Sequence, residues 1–252
     1  MSLTLYAHPF SSYCQKVLIA LYENATPFSL RELSGEHPGH YAEFAARWPL
    51  KRMPLLVDAG RSVAEATIII EHLGLHHPGP VRLLPADPVA ALEVRALDRF
   101  FDNYLSTPAQ RIVANALRPE GERDAYGVAE ARAQLETAYA WLDGHMAERS
   151  WAAGEGFSLA DCGAAPFLFY ADWTHRIDRG FRHVIAYRER LLARPSFARA
   201  VDEARPYRKL FPLGAPDADS IPRGGHATHG GGPKPGPTAC RRRDPRLPRR
   251  RA

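Results

Sequence analysis

The sequence predicts an α/β unit followed by an all-helical body. Up to Leu73, short strand patterns alternate with helical ones. A cluster of prolines and glycines between Pro78 and Pro88 then breaks the pattern. Every apolar pattern beyond that cluster has helical spacing, and none has strand spacing. The division that follows is residues 1–78 for the α/β domain, 79–87 for a linker, 88–213 for an α-helical domain and 214–252 for a basic Gly/Pro/Arg tail.

Residues 3–7 (LTLYA) form a short apolar strand that His8 and Pro9 break. Ser11 and Ser12 stand where the next helix must begin. Serine is favoured there because its hydroxyl takes up one of the unpaired N–H groups of the first turn. Val17, Leu18, Ala20 and Leu21 supply that helix's apolar face. Phe28, Leu30 and Leu33 alternate with Ser29, Arg31 and Glu32, which predicts a second strand beside the first. Residues 34–48, with His37, His40 and Tyr41, read as a loop with a short helix, the kind of segment that carries ligand contacts.

Pro54 enters the strand at residues 55–57. Lacking an N–H for a sheet, it belongs to a turn, where cis bonds occur. Asp58-Ala59-Gly60-Arg61 is a hairpin turn, with Ser62 and Val63 returning. Glu65-Ala66-Thr67 opens a helix through Leu73, stopped by Gly74 and Pro78. Beyond the linker, a helix over residues 88–117 is expected to kink near Thr107-Pro108. A second covers 123–149. A third opens at Ser158 with Asp161 in the N3 place of a capping box, and its body, residues 162–173, is apolar on most sides. Two more fit 184–192 and 196–204. The composition after Leu213 offers almost nothing to bury, so disorder is expected there.

Composition narrows the function classes. A hydrophobic fraction of 45% and a charged fraction of 24% are those of a globular protein. No apolar run reaches the ~20 residues of a membrane span, and no signal-type N-terminus is present, so the expected location is the cytoplasm, with no membrane partner. Cys14, Cys162 and Cys240 are too few and too scattered for a disulfide framework or a zinc site. From Gly214 onward nine basic residues face three acids. The tail therefore carries +6 of the net +5, and residues 1–213 carry −1. The basic balance belongs to the tail, and no nucleic-acid partner is expected.

The opening strand, turn and helix place serine hydroxyls beside free N–H groups and a positive dipole end, which favours an anion such as a thiolate. The spacing from Ser11 to Cys14 also matches the redox-type C-x-x-C, with serine in the nucleophilic position. Cys14, one turn into the helix, is the rival to Ser11 or a small apolar packing residue, and Tyr6 is either a catalytic hydroxyl or a core strand residue. His72, His76 and His77 follow a helix end and match its dipole without metal-ligand spacing, so no metal is expected. Tyr104, Thr107 and Arg111 lie one helical turn apart, and are candidates either for an acceptor pocket or for an ordinary half-buried face.

A βαβ and ββα unit joined to a helical bundle resembles the cytosolic glutathione transferase family. Three motifs carry the likeness: the Ser11-Ser12-Tyr13-Cys14 turn, similar to the theta- and zeta-class serine signature; Met53-Pro54, where the family has a residue before a cis-proline; and the capping box from Ser158 to Asp161. The resemblance covers roughly residues 1–213 and implies a thioredoxin-like first domain. It implies that Ser11 hydrogen-bonds the glutathione sulfur, with Ser12 as the alternative. Met53, next to Pro54, would present its backbone to the cysteinyl part, and Glu65 would meet the γ-glutamyl ammonium. The family's Glu-Ser is here Glu65-Ala66, with Thr67 able to supply the missing hydroxyl one position along. Lys51, Arg52 and one of His37 or His40 are candidates for the glycyl carboxylate. Glutathione is then a co-substrate, no other cofactor is required, a small electrophile is the second substrate, and the chain is a homodimer. Glutathione-dependent isomerisation, disulfide reduction through Cys14, and a non-catalytic binding module are the rival readings.

Overall fold

The computed structural model describes residues 3–221. β1 (Leu3–Ala7) leads through α1 (Ser12–Glu23) to β2 (Phe28–Glu32), which lies parallel to it with Leu3 opposite Phe28. After α2 (Pro38–Arg47), β3 (Leu55–Asp58) runs antiparallel to β1. β4 (Arg61–Ala64) pairs with β3 through the hairpin, and α3 (Ala66–His76) closes the unit. The sheet order is β2-β1-β3-β4. This is the expected thioredoxin-like arrangement.

α3 departs from its expected end. Gly74 sits inside the helix, which continues to His76 and stops at His77, the residue before Pro78. A glycine costs an interior helical position only ~1 kcal/mol, whereas the residue before a proline is pushed out of the α region. The proline therefore ends this helix.

The linker is held on both sides. Asn24 at the end of α1 accepts from the Val81 N–H (2.8 Å) and donates to its C=O (3.1 Å), and the Leu159 N–H donates to Leu83 C=O. α4 (Pro88–Phe100) starts at Asp87, whose carboxylate accepts from the Ala90 N–H. Residues 101–106 form a π-helical turn before α5 (Thr107–Ala116). Pro108 has no N–H to return to the preceding turn, and the Thr107 N–H bonds instead to Asp102 C=O five residues back. The expected kink is a widened turn placed just before the proline.

α7 (Leu159–Thr174), in which every residue is buried, packs against α1, α4, α5 and α8 (Arg182–Leu192), while α6 (Ala125–His145) lies on α5 and α8, and α9 (Pro195–Ala204) on α1 and α8. The capping box is present. Asp161 accepts from the Ser158 N–H and hydroxyl, the Ala152 N–H and the Tyr187 hydroxyl.

α1 lies between the sheet and α7. Its Lys16 is fully buried and joins the two domains, with Nζ 2.6 Å from Asp98, 3.1 Å from Asp102 and 2.9 Å from the Thr67 hydroxyl. Burial pushes the Lys16 pKa down, while Asp98 pulls it back. Gly163 lets α7 pass this cluster: a Cβ there would lie 3.3 Å from Asp98 Oδ1. The packed chain also extends past Leu213. Ala215 and Ile221 rest on the core, and Asp219 pairs with Arg205 and Arg208 and accepts from Arg188 at its C=O. Those ion pairs compensate for the low apolar content that suggested a tail from Gly214. Residues 222–252 lie outside the described residues.

Candidate active site

The N-terminus of α1 opens on a cavity of about 880 Å³ between the two domains. The turn before it is held in place by the backbone and by the helical domain. The Ser11 N–H donates to His8 C=O, and the Phe10 N–H donates to His8 Nδ1. The Gln15 side chain bonds both Pro9 C=O (2.9 Å) and the Tyr170 hydroxyl on α7 (3.0 Å). Ser11 is the N-cap, its oxygen accepting from the Cys14 N–H at a long 3.4 Å. Its own proton lies against the Cys14 thiol, whose pKa burial raises and this hydroxyl lowers, and it reaches a ligand by turning away from the sulfur. Ser12 begins the helix and also lines the cavity, and its hydroxyl has no partner among the described residues. The backbone N–H groups of Ser12 and Tyr13, the first orphan donors of the helix, are likewise unpaired among the described residues. Four donors with a dipole end behind them thus gather at one point, a place suited to an anion.

The rim on the first-domain side is made by Lys51, Arg52, Met53, Pro54, Glu65 and Ala66, all lining the same cavity. The Met53-Pro54 bond is cis. Lys51 (φ 53°) and Glu65 (φ 71°) are both in the left-handed region that non-glycine residues avoid. Such conformations collect at ligand sites, and residue identity alone gives no sign of them. Glu65 caps α3 with its backbone, its C=O accepting from the Ile69 N–H, while its side chain stays exposed.

Three first-domain candidates lie elsewhere. The Thr67 hydroxyl donates to Asp98 (2.7 Å) and accepts from Lys16 and Arg99, so the interdomain cluster holds it and Ala66 gets no substitute hydroxyl. His40 Nδ1 bonds Glu32 C=O and its ring lies 4.9 Å from that of His37, the N-cap of α2. Neither ring lines the cavity.

The helical wall differs more from expectation. Thr107 lines the cavity, its hydroxyl donating to Asp102 C=O (3.0 Å). Tyr104 is 60% exposed against Phe100, and Arg111 pairs with Asp124 and Glu130 on the far side of α5. The wall is built instead from Asn103, Gln110, Val113 and Leu117, with Arg99 and Asp102 near the α1 terminus. Its floor is aromatic: Phe10 meets Tyr170 edge-on at 5.5 Å, and Phe211 packs on Trp173 at 5.2 Å. Phe10, Tyr170 and Phe211 are the residues that sequence reasoning missed here; for Tyr170 the apolar, all-round character of α7 was the available signal.

Cys14 is completely buried, and desolvation pushes its thiol up to about 11. It is a packing residue, and disulfide reduction through Cys14 has no exposed thiolate to use. Tyr6 belongs to a small second core and donates to Glu43 (2.9 Å). His72 and His77 do more than match a helix dipole: both bond Asp58.

A model of the N-terminal domain of glutathione S-transferases matches residues 5–81, and a model of their C-terminal domain matches residues 125–190. A glutathione S-transferase from Methylobacterium radiotolerans, solved with glutathione sulfonate, is 30% identical, with 80% of this chain and 95% of that one covered and a TM-score of 0.67. The chain belongs to the glutathione S-transferase family. Among curated relatives, glutathione S-transferase GstB of Escherichia coli is 28% identical over 172 residues, covering 66% of this chain and 82% of that protein. The stringent starvation protein A homolog of Coxiella burnetii is 26% identical over 205 residues, covering 80% and 92%. The transferase name thus does not extend to every relative. Among the described residues, no helix is long and apolar enough to cross a membrane.

Proposed function

We propose that the protein is a glutathione transferase. In this reading Ser11, in a theta- or zeta-like turn, donates its hydroxyl hydrogen bond to the glutathione sulfur and holds it as thiolate. The sulfur then attacks an electrophilic carbon of a small substrate and the leaving group departs. The observation that carries the reading is the gathering of the Ser11 and Ser12 hydroxyls and two unpaired N–H groups on a cavity rimmed by Lys51, Arg52 and Glu65 and floored by Phe10, Tyr170 and Phe211. A free thiol has a pKa of ~8.5, so it is mostly protonated at pH 7. Lowering it by ~2 units takes about 2.7 kcal/mol, within the ~1.5–3 kcal/mol of a charged hydrogen bond with a helix terminus behind it.

Residues 1–78 bind glutathione in this reading. Met53 meets the cysteinyl backbone, Glu65 the γ-glutamyl ammonium, and Lys51 and Arg52 the glycyl carboxylate. Residues 88–213 receive the electrophile over the aromatic floor. The test is retention on immobilised glutathione with release by free glutathione, followed by an ultraviolet thiolate titration of the complex. A bound thiol that titrates like free glutathione would rule out the activating role.

One observation favours a second reading, a binding module of the same fold. Ala66 replaces the family's serine, and Thr67 is held in the interdomain cluster. Retention on glutathione without turnover of any electrophile would select it.

A cytoplasmic homodimer completes the proposal. Of three consecutive isoleucines, Ile69 and Ile70 are buried while Ile68 is 53% exposed. Ile68 and Leu75 flank Glu71 on α3, Leu92 lies one turn from Arg95 on α4, and Arg95 bridges to Glu71 through two bonds of 2.8 Å. These residues make an apolar face around an ion pair, suited to a second copy. Light scattering at micromolar protein tests it; a mass near 28.0 kDa at working concentration would sink the dimer.

A further inference from the structure

Asp58 ends β3, and the hairpin that follows holds Ala59 (φ 48°) and Gly60 (φ 86°) in the left-handed region. His72 lies on α3, and His77 is the cap, its N–H bonded to Leu73 C=O at 2.8 Å. Fourteen and nineteen residues of chain separate the aspartate from the two histidines, yet both imidazoles converge on one carboxylate oxygen. His72 Nε2 is 2.8 Å and His77 Nε2 2.7 Å from Asp58 Oδ2. The three donor atoms lie within 4.8 Å of one another. Their side chains are only 10%, 27% and 12% exposed, in the order His72, His77, Asp58. The hydrogen bonds from His77 and His72 hold the Asp58 carboxyl below the usual carboxylate range.

We propose that Asp58, His72 and His77 form a binding site for one divalent transition-metal ion of the zinc type, distinct from the glutathione cavity. The donor set is two imidazole nitrogens and one carboxylate oxygen, which suits Zn²⁺, Co²⁺ or Ni²⁺ and disfavours the all-oxygen preference of Mg²⁺ and Ca²⁺. Bonds of ~2.0–2.2 Å separate neighbouring tetrahedral ligands by about 3.4 Å, so the carboxylate needs to swing back only by about half an ångström to admit the ion. Binding requires the Nε2 protons that face Asp58 to move to Nδ1; the set then has a charge of −1, which complements a divalent cation. The three side chains are partly exposed, so water can complete the shell. Backbone elements on both sides fix the ligands: the hairpin for Asp58, the helix end for the histidines. The ion would clip the β3–β4 hairpin to the end of α3.

Zn²⁺ binding to the full chain, measured by equilibrium dialysis against micromolar free metal, tests the site. His226, His229 and Cys240 elsewhere in the chain are potential background ligands, so the His226→Gln/His229→Gln double variant is run in parallel. The expected result is one Zn²⁺ per chain in wild type and in that double variant. Asp58→Asn, His72→Gln and His77→Gln should each weaken binding at least tenfold, and Mg²⁺ should not compete. Zn²⁺ should raise the melting temperature of wild type but not of the three site variants, each first shown by circular dichroism in chelator to be folded. Should any of these variants fail to fold, Co²⁺ added to the wild-type protein supplies the independent measurement: visible d–d bands that Zn²⁺ bleaches are expected. Unchanged Zn²⁺ affinity in His72→Gln and His77→Gln, loss of binding in the tail variant alone, or Co²⁺ spectra identical to the aqueous ion would overturn the proposal.

Discussion

The two walls of the cavity are put in place by different means. On the first-domain side the residues are set by local punctuation: a serine cap at Ser11, a proline at 54, a hairpin and the turn into α3 at Glu65. Each of these acts over a few residues, so Ser11, Ser12, Lys51, Arg52, Met53, Pro54, Glu65 and Ala66 meet on one cavity as the order of the chain suggests. On the helical side the wall is one face of a long helix, and everything depends on its phase. Asn103, Thr107, Gln110, Val113 and Leu117 make the wall, whereas the candidates were Tyr104, Thr107 and Arg111; both sets have helical spacing, and packing alone selects the face that meets the cavity. A wall written in turns is readable residue by residue; a wall written in phase offers adjacent faces of equal spacing, and only packing chooses between them.

The cluster that joins the walls gives the largest expected effect. Lys16→Met leaves Asp98 and Asp102 buried with Arg99 as their remaining cation, and breaking a buried pair costs up to about 3–5 kcal/mol. Thermal unfolding should show a fall of many degrees; a shift within a degree or two would mean that the domains do not rely on this contact. Next is Ser11→Ala on the punctuated wall. Loss of a charged hydrogen bond of about 1.5–3 kcal/mol should slow conjugation roughly ten- to hundredfold, with glutathione affinity changed less. Rates with a generic electrophile from pH 6 to 9 decide it, and a loss seen in Ser12→Ala alone moves the assignment by one residue.

Glu65→Ala should act on binding. Losing an exposed carboxylate's contact with an ammonium is worth about 1 kcal/mol, a rise in KM for glutathione of roughly fivefold with kcat kept. An unchanged KM in a folded variant removes Glu65 from the site. The smallest effect is reserved for Arg111→Ala. Its partners Asp124 and Glu130 are as exposed as it is, so stability should move by less than about 0.5 kcal/mol and the rate not at all. A clear change in electrophile preference would instead show that α5 turns its other face to the substrate.

The fold was legible because its signals are redundant. Strand alternation, proline placement and the Ser158–Asp161 capping box agree with one another, and the sheet and α7 follow from them. The Glu-Ala departure was also visible, but its consequence was not: Thr67 looked like a spare hydroxyl until its place beside Lys16, Asp98 and Arg99 was known. Lys16 itself reads as a surface lysine, since nothing local marks a residue whose partner lies 82 positions away. His37 and His40 had the right chemistry in the right loop, and only the packing of α2 takes their rings off the cavity. Asp58, His72 and His77 were out of reach for the same reason: a hairpin and a helix end have to be folded before three separated side chains become neighbours.

The left-handed backbone at Lys51 and Glu65 has a consequence for how a ligand is received. Each such residue costs about 1–3 kcal/mol, and that cost is met when the chain folds, before any ligand arrives. In the proposed role the rim is a preset receptor: a peptide-like guest would find its contacts already set and lose little to ordering the host. Glycine at position 65 would relax the backbone and make the empty protein more comfortable, while charging the guest for the disorder. Stability and affinity should therefore move in opposite directions at this single residue.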